Sequence, residues 1–232
     1  MCLIITRMRA LLPGTTRAQL YSWKPSSDFS KPTGVSEYLF DRWRSSPGDY
    51  QVVIDKPESV DALVWQYELL RLFCCEFNRL LTCIKAEGIC SAECCPKMTA
   101  TDEWHFLCAA HRKPQDCPAI DYMRHTVDGS VALLLSLRNF PNRTVIPQSN
   151  GKIFLSMLRR LYRIFSHLYY HHLEFFERFE SQWFFCTKFT VFVRHFSLVP
   201  ADTLIIPLSA MPTLPEMQST SPILEEPVTP EQ

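Results

Sequence analysis

The chain has 232 residues, 47% of them hydrophobic and 21% charged, a balance that suits one folded domain with its own core. Lys plus Arg and Asp plus Glu both total 24, and a formal charge of zero argues against a general nucleic-acid binder, whose footprint is a basic excess. Ten cysteines would suit a secreted disulfide scaffold, but Met1-Cys2-Leu3-Ile4-Ile5-Thr6-Arg7 puts its apolar residues before the first Arg and Pro13-Gly14 cuts the segment short. No apolar run reaches the length of a membrane span, so a cytoplasmic chain without a transmembrane segment is expected, its thiols reduced and serving as core residues or metal ligands.

Residues 1–50 mix Pro, Ser and isolated aromatics (Tyr21, Trp23, Phe29, Tyr38, Trp43) and read as an arm packing on the core through aromatic anchors. The core domain is placed at 51–206. Its first helix is predicted from about Ser59 to Lys85, opened by Asp61, with Leu63, Trp65, Leu70, Phe73, Phe77, Leu80 and Ile84 recurring at helical spacing. A second helix is predicted over Tyr122 to Leu137. A third starts at Ile153 and Phe154 and continues through Phe165 and Leu168 to Phe179, and a fourth covers Phe184 to Phe196. Strand alternation is nowhere sustained, so the fold class is all-α, a helical bundle. Residues 207–232 hold six prolines among Ser, Thr and Glu and read as a disordered tail, its Ser221-Pro222 and Thr229-Pro230 dipeptides notwithstanding.

Cys90 and Cys95 close a short loop after the first helix, with Cys94 beside the second, while His167, His171 and His172 lie on the third. Two thiolates and two imidazoles suit a tetrahedral zinc ion. The long gap from Cys95 to His167 excludes a zinc finger and would instead tie a loop to a distant helix. From spacing alone, half-exposed histidines and buried core thiols explain the same residues equally well. Arg159, Arg160 and Arg163 sit three and four residues apart, so their guanidinium groups can converge to grip a phosphate, the alternative being a solvated helix face. Signs of catalysis are absent: there is no phosphate loop, no nucleophile elbow and no His-Glu-x-x-His pair. Cys108 with His111 reads as a buried structural thiol rather than a reactive pair. Asp121, Arg124 and His125 read as a structural polar network.

Several stretches carry a resemblance. They are Met98-Thr99-Ala100-Thr101, Phe106-Leu107-Cys108-Ala109-Ala110-His111, Cys117-Pro118-Ala119-Ile120-Asp121-Tyr122 and Arg124-His125-Thr126. Pro13-Gly14-Thr15, Tyr21-x-Trp23, Val64-Trp65-x-Tyr67-Glu68 and Tyr162-Arg163-Ile164-Phe165-Ser166-His167 belong with them. In this order they resemble the MOB family, in particular its phocein branch, from about residue 12 to 207. The resemblance implies a non-catalytic adaptor with a four-helix-bundle core and a structural zinc (Zn2+) whose ligands fall on Cys90, Cys95, His167 and His172. On a straight helix His167 and His171 lie about 40° apart and His167 and His172 about 140°. Geometry alone thus selects His171, whereas the family pattern selects His172 and implies a bend or break near Tyr169; His171 and Cys94 are the substitutes.

The resemblance also places Arg159, Arg160 and Arg163 where relatives bind phosphorylated Ser/Thr segments. Val60 stands five residues before Trp65, where kinase-activating members carry an acidic residue. That implies the phocein role: partnership with striatin-class scaffold proteins and their phosphatase and Ser/Thr kinase subunits, and peripheral association with Golgi or other cytoplasmic membranes. Coactivation of NDR/LATS-type Ser/Thr kinases is the alternative. The doubled Cys94-Cys95 and Cys74-Cys75, the hydrophobic start Met1 to Leu12 and the tail mark a diverged phocein-like paralogue.

Overall fold

The Asp61 carboxylate accepts the backbone N–H groups of Leu63 (2.8 Å) and Val64 (3.2 Å), capping the longest of the described helices. The structure, a computed structural model, describes residues 28–31 and 33–211. The helix, α2 (Ala62–Ala86), comes after α1 (Gly34–Ser45) and precedes α3 (Ala119–Leu134), α4 (Gly151–His171), α5 (Leu173–Trp183) and α6 (Phe185–His195). Among the described residues there is no strand, only the isolated bridges Thr99–His105 and Cys108–Gln115, and no helix is long and apolar enough to cross a membrane.

Helix α1 lies inside the segment read from sequence as an arm. Its Val35, Leu39 and Trp43, four residues apart, form a buried stripe, with Trp43 edge-on to Phe73 at 5.7 Å between centroids. In the sequence the scattered aromatics around it mask this short stripe. Helix α2 is buried on nearly every face and contacts α1, α3 and α4. Each residue of its Trp65-x-Tyr67-Glu68 stretch fastens a different segment. Trp65 donates its indole N–H to the Val53 carbonyl (3.0 Å), Tyr67 its hydroxyl to Leu134 (2.8 Å), and Glu68 accepts from Arg143 at 2.7 Å.

The single helix expected from Ile153 to Phe179 is two. His172 adopts φ −139°, ψ 50°, ending α4 and starting α5, and its backbone still bonds on both sides: its N–H to Leu168 (2.8 Å) and its carbonyl from Phe176 (2.9 Å). Phe184, in the left-handed region at φ 50°, then turns the chain into α6. That turn leaves the first amides of α6 without a local cap. The buried Glu180 carboxylate supplies one, accepting from the backbone of Cys186 (2.7 Å) and Thr187 (2.8 Å). The turn packs Phe185 and Phe189 against Phe73, Phe77 and Phe165, with neighbouring centroids 4.7–6.1 Å apart.

Beyond α6 the chain returns along α4, where the Tyr162 hydroxyl accepts the Ile206 N–H (3.0 Å), and Met211 is buried. Met1 to Leu12, Pro13-Gly14-Thr15, Tyr21-x-Trp23, Ser221-Pro222 and Thr229-Pro230 lie outside the described residues.

Candidate metal centre

The loop leaving α2 turns at Gly88 and again at Cys90, which holds φ 57°, a left-handed conformation that costs a residue with a Cβ about 1 kcal/mol or more. Two backbone bonds hold the far side of the loop: Cys95 N–H to Ser91 (3.0 Å), and Ala119 N–H to the Cys95 carbonyl (2.9 Å), which joins it to the start of α3. Opposite stand His167 on α4 and His172 at the helix break. Cys90 Sγ is 3.4 Å from His167 Nε2 and Cys95 Sγ is 3.4 Å from His172 Nε2, and all four donor atoms lie within 4.8 Å of one another. A tetrahedral zinc with Zn–S of about 2.3 Å and Zn–N of about 2.0–2.1 Å has S···N edges of about 3.6 Å, so the donor set fits that ion.

The protonation states fit it as well. His167 Nδ1 lies 2.7 Å from the Thr99 carbonyl, which can only accept, so Nδ1 carries the proton and Nε2 turns its lone pair to the cysteines. Burial pulls the His167 pKa down to about 4 and lowers that of His172, keeping both imidazoles neutral. Burial pushes the Cys90 thiol far up, the Cys95 and Cys94 thiols adding to the rise, and that of Cys95 to about 11, where Cys94 adds to the rise and Cys90 opposes it. With both thiols protonated and both imidazoles neutral the cluster carries no charge, and it stays neutral when a dication takes the place of the two thiol protons.

The break at His172, three residues past the bend expected near Tyr169, swings that ring in beside the cysteines. His171 stays exposed, its Nε2 bonded to the Thr99 hydroxyl at 3.0 Å. Cys94 is exposed, its sulfur accepting from the Ser91 hydroxyl (3.6 Å) and from the Ser91 N–H (3.0 Å), contacts that lower its thiol pKa. Neither substitute is in the cluster.

The arginine trio does not form one pocket. Arg163 donates to the Tyr122 hydroxyl (2.8 Å) and covers the Phe106 ring at 4.6 Å. Arg159 borders a groove of about 490 Å³ with Arg194 and Leu204, while Arg160 borders another of about 720 Å³ between α3 and α4. Arg160 makes no ion pair with any described residue. Val60 is 5% exposed and faces inward, its carbonyl accepting from Lys56 Nζ at 2.6 Å. The expected polar network is partly present: Arg124 pairs with Asp121 at 2.7 Å, but His125 turns away to Cys108 (3.5 Å). Sequence reasoning missed that Cys108, His111, Cys117 and His125 converge; the signal was four donors within 18 residues.

These features define an all-helical protein in which a partly buried Cys2His2 group joins the loop after α2 to a distant helix break. The chain belongs to the Mob1/phocein family, whose profile matches residues 44–208. It is 41% identical over 206 residues to MOB kinase activator-like 4 of Drosophila melanogaster, covering 88% of this chain and 92% of that protein. To MOB-like protein phocein of Caenorhabditis elegans it is 39% identical over 211 residues, covering 90% and 93%. Maintenance of ploidy protein mob1 of Schizosaccharomyces pombe is more distant, 26% identical over 160 residues, covering 66% and 75%.

Proposed function

We propose that this chain is a non-catalytic adaptor of the phocein type, built on a four-helix core of α2, α3, α4 and α6. In this reading Cys90, Cys95, His167 and His172 bind a structural zinc ion. When bound, the ion supplies a closed, charge-neutral cross-link with no open coordination position. Cys90 and Cys95 then hold the loop, His167 and His172 hold α4 and the break, and the Thr99 carbonyl orients His167. The observation that carries the reading is the convergence of these four donors in a chain matching a phocein-named protein over nine-tenths of its length. The work done is recognition: helical surfaces dock striatin-class scaffold proteins with their phosphatase and Ser/Thr kinase subunits, in the cytoplasm and at the periphery of its membranes. A phosphorylated partner segment is met by Arg160 and Arg159, whose side chains border two separate grooves, with Arg163 bracing Tyr122 on the wall of the Arg160 groove.

Coactivation of NDR/LATS-type kinases is the second reading, favoured by the relative named a kinase activator-like protein. Against it stands the apolar, inward-facing Val60. Affinity capture with the full chain from native extract, followed by mass spectrometry, separates the two. Striatins with phosphatase subunits support the adaptor; NDR-type kinases without striatins overturn it.

A further inference from the structure

We propose that Cys108, His111, Cys117 and His125 form a second zinc-binding site, separate in every ligand from the first. Their donor atoms lie within 4.8 Å of one another, with His111 Nε2 2.9 Å from Cys117 Sγ and Cys108 Sγ 3.5 Å from His125 Nδ1. Either distance alone would be met by a thiol–imidazole hydrogen bond. Two such bonds do not account for all four donor atoms lying within 4.8 Å of one another, and the S···N edges of a tetrahedral Cys2His2 zinc, about 3.6 Å, fall within a few tenths of an ångström of one and 0.7 Å of the other.

The backbone builds this convergence from a short stretch of chain. Cys108 and Gln115 exchange both N–H···O bonds, at 2.7 and 3.2 Å, closing a small hairpin that brings Cys117 back beside Cys108. Cys117 precedes Pro118, the N-cap of α3, and His125 projects from the second turn of α3. His111 sits in the hairpin loop. No residue from 109 to 114 is buried, so packing does not fix this loop. Both cysteines are buried and both histidines half-buried, which leaves room for an ion to enter and little for bulk water.

The charge balance closes without a further partner. One Zn2+ replaces two thiol protons, which leave to solvent, and the two neutral imidazoles coordinate through His111 Nε2 and His125 Nδ1, so the filled site carries no net charge. A sulfur and nitrogen donor set of this kind selects zinc over the oxygen-seeking cations. Cys108 and His125 also border the groove that Arg160 enters, so a filled site makes one wall of that groove rigid.

The test is elemental analysis of the full chain, purified reduced and without chelator, with Zn2+ as the sole added metal. Two zinc ions per chain are expected, one after His111→Ala or His125→Ala, one after Cys90→Ala, and none when the changes at both sites are combined. Mass-spectrometric alkylation of the unmutated chain needs no variant to fold. Cys108 and Cys117 should resist the reagent until the metal is chelated and then react. One zinc per chain that survives His125→Ala overturns the proposal, as does a Cys108–Cys117 disulfide or free alkylation of both thiols with metal retained. One zinc that survives Cys90→Ala and disappears with His125→Ala would support this site and sink the first.

Discussion

Replacing Glu68 by Ala removes a carboxylate whose side chain is 1% exposed and which holds two arginines at once. Its Oε2 accepts from Arg71 Nη1 at 2.7 Å, and its Oε1 accepts from Arg143 Nε at 3.0 Å and Nη2 at 2.7 Å. Arg143 also donates to Ser36 (3.3 Å) at the start of α1, so the group joins α1, α2 and the segment before α4. Arg71 is only 8% exposed and its Nε already lacks a partner, so the substitution leaves a buried cation nearly bare. Removing one member of a buried ion pair costs about 3–5 kcal/mol, and the partly exposed Arg143 adds little because water can reach it. For a domain of this size that is a fall in melting temperature of roughly 6–20 °C. The assay is urea unfolding of Glu68→Ala beside Glu68→Gln, which keeps the volume and part of the hydrogen bonding and should lose less. An Ala variant within about 1 kcal/mol of the parent would show that the arginines find water, and the reasoning from burial would be wrong.

Other outcomes rest on the same geometry. His172→Ala should release zinc and lower the melting temperature, whereas His171→Ala should keep the metal, because His171 bonds only the Thr99 hydroxyl; zinc content and thermal scans on both variants decide it. Arg163→Ala should lower stability by about 1–3 kcal/mol through the lost Tyr122 bond and ring contact, while Arg160→Ala leaves stability alone and weakens a phosphothreonine peptide, read by melting and by fluorescence anisotropy. Glu180→Ala should cost roughly 2–4 kcal/mol in denaturant unfolding, because the buried amides that open α6 lose their acceptor. Lys188, buried with its ammonium 4.1 Å from the Trp43 ring centre, has a pKa pulled by burial from 10.5 to about 8. Between those values the unfolded chain binds the proton and the folded chain does not, so stability should rise with pH relative to Lys188→Met across that interval; a constant difference would contradict the shift.

How much of this was legible in the sequence depended on whether the signal was local. The Asp61 cap of α2 and the apolar faces of α2 and α6 were, because Asp61 and a run of aromatics at helical spacing need nothing from elsewhere in the chain, whereas the Glu180 cap of α6 depends on the turn at Phe184. Helix α3 was displaced by three residues at each end: Ala119 and Ile120 carry little periodic signal, yet the Cys95 carbonyl and Pro118 start the helix there. The break at His172 was invisible to periodicity, since Leu168, Phe175, Phe176 and Phe179 continue a helical rhythm across it. What overrides that rhythm is a tertiary arrangement in which Cys95 meets the His172 ring and Thr99 meets both His167 and His171. Straight-helix angles therefore favoured the wrong histidine for the observed cluster, and only the family pattern pointed to His172. The second cluster failed for a different reason. In the sequence Cys108 has only His111 close beside it, and two donors never distinguish a metal site from a packed thiol, whereas the Cys108–Gln115 exchange brings in Cys117, and the second turn of α3 brings in His125.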